Sequence, residues 1–138
     1  MKRVLAIDLG KARTGLAISD ELGMLAQPLQ TIEKLSDDAL AKTIRQIVSE
    51  KNVDGIIVGL PKNMNGTLGA AANDAEKFAA KLRALVPCPV EMWDERLSTI
   101  EANRALQAAG KKTRETRGIR DQVAAQIILQ SYLDRLNG

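Results

Sequence analysis

The spacing of the first apolar segments constrains the fold more than any other feature of the sequence. Residues 4–9 form one short apolar run and residues 16–19 form a second, with Gly10 and Gly15 in the segment between them. A parallel crossover needs about a dozen residues, so two strands this close must form an antiparallel hairpin. A third segment, residues 25–32, contains Pro28, which favours a strand at a sheet edge because proline donates no ladder hydrogen bond. The beginning of the chain therefore predicts a three-stranded antiparallel meander.

Helices and strands alternate after this meander. Ser36 followed by Asp37 and Asp38 is typical of a helix start, with a capping hydroxyl and acids in the first turn. Asn65-Gly66 predicts a tight turn within a loop. The predicted elements are a helix from Ser36, a strand at 54–60, a helix at 71–85, a strand at 90–93, a helix from Ser98 to Gly110, a basic loop at 111–120 and a helix at 121–136.

This order predicts an α/β fold built on one mixed sheet. Right-handed crossovers place the two later strands parallel to the first, which gives five strands with helices packed on them. A length of 138 residues fits a single domain spanning 1–138. Hydrophobic residues make up 45% of the chain but aromatic residues only 2%, so aliphatic side chains must build the core.

Composition excludes several kinds of chemistry. The chain has no histidine, which removes Ser-His-Asp triads, Cys-His pairs and histidine zinc sites. The lone Cys88 has neither a disulfide partner nor an activating histidine, and a structural role is expected for it. The apolar run after Met1 is too short for a signal peptide or a membrane span, so a cytoplasmic location without membrane contact is expected.

Three acidic residues occupy positions where chemistry is plausible. Asp8 lies within the first strand on the face of Val4 and Ala6, Glu95 follows the strand at 90–93, and Asp121 opens the last predicted helix. Each has an ordinary structural alternative. Asp8 fits a strand-end aspartate in solvent or one that caps the following turn, Glu95 fits a surface ion-pair cluster, and Asp121 fits the positive end of a helix dipole.

Taken together, the three carboxylates predict a metal site. In βαβ units the open crevice lies beyond the carboxyl ends of the strands, where Glu95 and Asp8 are placed, and a helix crossing that edge would bring Asp121 near them. Converging carboxylates repel one another unless a cation joins them, and all-oxygen sites suit Mg²⁺ or Mn²⁺.

Basic residues flank each of these acids. Although the net charge is only +3, the cations concentrate near the predicted site, which suits a polyanion whose phosphates approach bound metal. A solubilising basic loop is the alternative. The candidate nucleic-acid-binding residues are Lys11, Arg13, Lys62, Arg96, Lys111, Lys112, Arg114, Arg117 and Arg120.

Four motifs in order now make a family recognisable along almost the whole chain. They are Ile7-Asp8-Leu9-Gly10 with Arg13, Gly15 and Ser19-Asp20; Val58-Gly59-Leu60-Pro61 with Gly66-Thr67; Asp94-Glu95-Arg96-Leu97-Ser98-Thr99; and Asp121 with Ala124-Ala125, Ile128-Leu129-Gln130 and Tyr132-Leu133. The chain resembles the YqgF/RuvX family of the RNase H-like superfamily. Lys62 and Gln122 depart from the residues usual at their positions, but neither departure removes an acid.

The resemblance implies an RNase H-like fold and a metal-dependent nuclease whose acidic positions fall on Asp8, Glu95 and Asp121. Asp8 is then expected to bridge two Mg²⁺ or Mn²⁺ ions, with Glu95 and Asp121 completing one site each. The implied substrate is the 5′ end of pre-16S ribosomal RNA, within ribosomal particles or free. The protein is expected to be a monomer or a homodimer.

Three alternatives remain open at the level of sequence. A Holliday junction resolvase acting on branched DNA shares the fold and the metals, and a stable symmetric dimer would favour it. A non-catalytic nucleic-acid-binding module would use the basic residues but not the acids. An actin-like or sugar-kinase-like phosphotransferase shares the start of the first motif, but it needs two lobes and this chain has length for one.

Overall fold

The structure is a computed structural model that describes residues 3–33, 36–62, 65–98 and 114–138, the stretch 114–120 by its backbone alone. The described strands form one five-stranded sheet in the order β3-β2-β1-β4-β5. β1 pairs antiparallel with β2 and parallel with β4, β2 pairs antiparallel with β3, and β4 pairs parallel with β5. The strands are β1 (Val4–Leu9), β2 (Arg13–Ser19), β3 (Ala26–Glu33), β4 (Gly55–Leu60) and β5 (Val90–Asp94). The predicted mixed sheet is confirmed, and Pro28 lies in the edge strand β3.

Helices cover both faces of this sheet. Ser36 caps the first helix as predicted, because its hydroxyl accepts a hydrogen bond from the Ala39 amide at 3.1 Å. A short 3₁₀ turn, Glu95–Leu97, follows β5. None of the described helices combines the length and the apolar character that crossing a membrane requires. The described α-helices are α1 (Asp37–Lys51), α2 (Ala70–Leu85) and α3 (Arg114–Asn137).

Side-chain alternation divides the core into two layers. Leu5, Ile7, Leu16 and their neighbours point to the face covered by α1 and α2. Val4, Ala6 and Ala17 point to the opposite face, where they pack against α3. Because the residues of β1 facing α3 are mostly small, this helix can lie close to the sheet. The same face carries the acidic residues predicted to be functional.

Two predicted boundaries were wrong. The turn predicted at residues 10–15 is shorter, because β2 already begins at Arg13 and Gly15 pairs with Asp8 in the ladder. The loop predicted at 111–120 is helical from Arg114 onward. Arginine and glutamate in this stretch are good helix formers, so a high density of charge did not prevent a helix. The helix predicted from Ser98 to Gly110 lies almost entirely outside the described residues.

Candidate active site

Asp8 is a buried carboxylate near the end of the central strand. It follows Val4 and Ala6 on the same side of β1, and therefore faces α3. Only 7% of its surface is exposed, whereas ionised carboxylates are rarely buried without a partner or a metal. The alternative of a solvent-exposed strand-end aspartate is therefore wrong.

A glycine beside Asp8 admits the last helix. Gly15 lies directly opposite Asp8 in the antiparallel ladder. A β-carbon at Gly15 would collide with the backbone carbonyl of Asp121 and would lie 3.0 Å from the Asp121 β-carbon. Asp121 therefore rests on β2, one strand away from Asp8.

A second glycine, on the other side of the central strand, admits Glu95. Gly59 belongs to β4 and comes one residue after Val58, which pairs with Ile7. A β-carbon at Gly59 would lie 2.7 Å from Glu95 Oε2 and 2.9 Å from Ile128 Cδ1 of α3. The Glu95 carboxylate is therefore folded back over β4, on the face covered by α3, and it is only 6% exposed.

The three predicted acids thus lie over three adjacent strands on one face. Asp121 lies over β2, Asp8 is on β1, and Glu95 lies over β4, so each outer member lies over a strand next to that of Asp8. The helix-dipole explanation for Asp121 does not hold, because α3 begins seven residues earlier, at Arg114, and the dipole acts within the first turn.

Arg13 holds one member of this trio. Its Nε donates a hydrogen bond to Asp121 Oδ2 at 3.0 Å, and both side chains are about three-quarters buried. Within the described residues, no three acidic or cysteine side chains are gathered closely enough in this conformation to form a metal centre. Glu95 lies over β4 on one side of Asp8. Asp121 lies over β2 on the other side, where Arg13 binds its carboxylate.

The donor chemistry fits divalent magnesium or manganese. All three candidate ligands offer carboxylate oxygens, which hard cations prefer, and the chain has no histidine to attract a softer metal. Gly59 leaves room for the Glu95 carboxylate on one side of Asp8, and Gly15 leaves room for the backbone of Asp121 on the other. A cation held between Asp8 and Glu95 would reduce the repulsion between their two carboxylates.

A cluster of opposite charges lies at the carboxyl end of β5, next to Glu95. Asp94 Oδ2 accepts a hydrogen bond from Arg96 Nη2 at 2.8 Å, and Lys62 Nζ lies 3.9 Å from the same oxygen. The bond from Arg96 holds the pKa of Asp94 below its usual value, with a smaller contribution from Lys62. Asp94 also caps the turn that carries Glu95, because its Oδ1 accepts from the Arg96 amide.

The predicted nucleic-acid-binding cations have different surroundings. Lys11 is exposed in the turn just after Asp8. Arg13 pairs with Asp121, while Lys62 and Arg96 both pair with Asp94. Lys111 and Lys112 lie outside the described residues, and Arg114, Arg117 and Arg120 lie in the first two turns of α3, where only the backbone is described.

Sequence reasoning missed the two glycines that shape the site. Gly15 and Gly59 both interrupt apolar strands. A glycine inside a strand often marks a place where another part of the backbone or a ligand approaches closely. That signal was available in the sequence and would have placed Asp121 and Glu95 beside the strands they cover.

Comparison with solved structures defines the class of fold. The structure matches RuvC from T. thermophilus, solved in complex with a Holliday junction substrate, with a TM-score of 0.64, 13% identity and coverage of 100% and 97% of the two chains. It also matches the fowlpox virus resolvase, solved with Holliday junction DNA, with a TM-score of 0.57, 10% identity and 99% coverage of each chain. The fold is RNase H-like, as the sequence resemblance implied.

Sequence comparison defines the family. Residues 2–135 match the family model RuvX, described as Holliday junction resolvase. A relative from Geobacillus kaustophilus named "Putative pre-16S rRNA nuclease" is 52% identical over 96% of this chain and 97% of its own length. A relative of the same name from Lachnospira eligens is 42% identical, over 96% of each chain. The chain belongs to the RuvX family.

Proposed function

We propose that this protein is a metal-dependent nuclease that processes the 5′ end of pre-16S ribosomal RNA in the cytoplasm. The observation that carries the proposal is the alignment of Asp121, Asp8 and Glu95 over three adjacent strands, with Gly15 and Gly59 making room for the outer two. The names of the relatives that match nearly the whole chain support the substrate. Full-length matches at this identity make a shared reaction the simplest expectation.

The proposed ligands of Mg²⁺ or Mn²⁺ are Asp8, Glu95 and Asp121. Divalent ions bound there would lower the pKa of water, so that hydroxide could form at neutral pH and attack phosphorus. They would also neutralise charge on the phosphate. Asp8 and Glu95 are buried and both carry carboxylate oxygens, and a bound cation would offset the repulsion between their charges. Arg13 holds the Asp121 side chain in place, and exposed Lys11 is available to a phosphate beside Asp8.

The test compares wild-type protein with Asp8→Asn on a labelled RNA spanning the 5′ end of pre-16S RNA, with Mg²⁺ or Mn²⁺. The rate is expected to fall more than about a hundredfold, because even partners outside the ligand shell often cost 10 to 100-fold. Asp38→Asn is the matched control, since Asp38 is an exposed helical aspartate paired with Lys81 away from the site. Cleavage retained by a folded Asp8→Asn protein would contradict the proposal.

A second candidate, cleavage of Holliday junctions, is favoured by the description of the matching family model. Cutting a four-way junction symmetrically needs two active sites, and therefore a dimer. The same proteins are to be incubated with a four-way DNA junction, and their molecular masses in solution are to be measured by sedimentation. Paired cuts by a dimer would favour the resolvase, while cleavage of the RNA alone by a monomer would favour ribosomal RNA processing. Equal nucleic-acid binding by both proteins without cleavage would favour a binding module.

A further inference from the structure

Exposed apolar side chains concentrate at the end of the molecule opposite the carboxylates. Leu22, Met24 and Leu25, in the turn between β2 and β3, are 73%, 52% and 61% exposed, and Leu136 near the end of α3 is 59% exposed. We call these four residues the apolar patch. Asn137 Nδ2 donates to Gly23 O at 3.0 Å, which places the turn beside the end of α3 and Leu136 next to it.

The turn that carries the apolar patch is firmly held. Asp20 Oδ1 accepts from the Met24 amide at 2.8 Å, and the Asp20 and Leu25 backbones bond to each other at 3.1 Å. Gln130 of α3 donates to Met24 O at 3.1 Å. The backbone that carries the leucines is therefore already ordered, so this turn loses little conformational entropy when a partner covers it. Several exposed apolar side chains grouped on one firmly held turn are typical of an interaction site.

The charges around the apolar patch are mainly negative. Asp20 and Glu21 belong to the turn, and Asp134 lies beside it, because its carboxylate accepts at 3.0 Å from the Gln130 amide that also bonds to Met24 O. The backbone amide of Met24 lowers the pKa of Asp20, so this carboxylate stays charged in mild acid. Arg135, which precedes Leu136 in the helix, and Arg3, whose Nε donates to Ser19 O at 3.4 Å just before the turn, are cations close to it.

A cavity beside the turn brings one further carboxylate, that of Asp54, close to Glu21. It has a volume of about 290 Å³ and is lined by Arg3, Glu21, Asn52 and Asp54. Its charged lining residues are one arginine, Arg3, and two carboxylates, Glu21 and Asp54. The surface is therefore suited to a partner that brings both apolar and positively charged side chains, and it is unsuited to the phosphates of nucleic acid.

The apolar patch also lies away from the proposed site. β2 ends at Ser19, whose hydroxyl accepts from the Val4 amide at the start of β1 at 2.8 Å, whereas Asp8 is near the end of β1. Asp8 comes four residues after Val4, which is roughly 13 Å along a strand at about 3.3 Å per residue. A partner on the patch would leave the carboxylates open to substrate.

From these contacts and charges we infer that the apolar patch, with its acidic rim, binds a basic protein segment on the particle that presents the RNA. This inference rests on the proposed function. Proteins that coat RNA carry many lysines and arginines to meet the phosphates, so they offer the complementary charge. Docking at one end of the molecule would direct the opposite end toward the RNA.

The experiment uses full-length protein, naked pre-16S RNA and assembled precursor particles that contain the same RNA. The variants are Leu22→Asp with Leu25→Asp, and Glu21→Lys, all at exposed positions. Both are expected to bind and cleave naked RNA within about twofold of wild type, because surface substitutions away from the site cost little. On particles, binding measured by co-sedimentation is expected to weaken about tenfold or more, and cleavage to fall with it.

Glu76→Lys is the matched control for the charge reversal, since Glu76 is exposed on α2 and belongs to neither surface. It should leave particle binding unchanged. Unchanged particle binding by the patch variants would overturn the inference. So would a wild-type dimer that the leucine substitutions dissociate, which would assign the patch to a second copy. Stronger binding of naked RNA by Glu21→Lys together with unchanged particle binding would assign it to RNA. Because co-sedimentation needs no cleavage, the inference is tested even if the proposed nuclease activity fails.

Discussion

Gly15 shows how one missing side chain shapes the site. Glycine weakens a strand, so its presence inside β2 needs a compensating contact, and the backbone of Asp121 supplies that contact. Gly15→Ala is expected to lower the free energy of unfolding by about 1–3 kcal/mol, because the added methyl group forces α3 away from the sheet. Urea denaturation measures this change.

Gly55→Ala is the control for that substitution. Gly55 is the first residue of β4, which pairs with the central strand, but a β-carbon there would meet no atom within 4 Å. Its effect is expected to stay within about 0.5 kcal/mol. Equal losses for the two variants would mean that the close approach of Asp121 does not constrain Gly15.

At the scale of single residues, the sequence identified the acidic residues but not the residues that bind them. Asp8, Glu95 and Asp121 stood out because carboxylates at strand ends and helix starts are recognisable from local pattern. The bond between Arg13 and Asp121 joins residues 108 positions apart. Nothing in local spacing predicts such a pair, because it depends on how α3 crosses the sheet. The sequence assigned Arg13 to phosphate, whereas the structure pairs it with a proposed metal ligand.

At the scale of elements, most of the fold was predictable, since each strand and helix repeats a strong local pattern. The short connection after β1 determined the hairpin, and Ser36 determined the start of α1. The start of α3 was not predictable in the same way. Residues 114–120 lack apolar periodicity, so hydrophobic pattern gave no signal there even though their helix propensity is adequate.

The 3₁₀ turn that carries Glu95 depends on Asp94, and this dependence has a pH signature. The folded-state pKa of Asp94 lies below its usual value, mainly because of Arg96. The bond therefore stabilises the fold above about pH 4 and is lost as the pH falls through the folded-state pKa. Asp94→Asn is expected to reduce the free energy of unfolding by about 0.5 kcal/mol at pH 7 and by less at pH 3.

Arg96→Gln provides the matched test of that assignment. It removes the donor instead of the acceptor, so it should show the same loss at neutral pH. Combining it with Asp94→Asn should add little further loss, because the two residues share one interaction. Denaturation at both pH values measures all three proteins. Full additivity of the two substitutions would contradict the pairing.

At the scale of the whole molecule, the sequence around the proposed metal ligands and the surroundings of the apolar patch differ in charge. Basic residues follow Asp8 and precede Asp121, while the apolar patch has an acidic rim. If Lys111 and Lys112 contact phosphates, replacing both with Gln should reduce the salt dependence of RNA binding by about 0.7 per lost contact in a plot of log K against log salt. Filter binding at several salt concentrations measures the slope.

Replacing Lys42 and Lys51 with Gln is the control for that prediction. Both belong to α1, which covers the face of the sheet opposite the carboxylates. Their loss changes the net charge equally but removes no proposed phosphate contact. A slope that falls by the same amount in both double variants would show that total charge, and not its location, governs binding.

The sheet order has a consequence for synthesis on the ribosome. The central strand β1 is made first, yet its neighbour β4 begins some fifty residues later, and α3, which covers it, is made last. Contacts between such distant parts of a chain form late in folding. The first and last of the three proposed ligands, Asp8 and Asp121, cannot meet until α3 has emerged from the exit tunnel. A nascent chain would therefore have no assembled site for RNA cleavage before α3 has emerged from the ribosome.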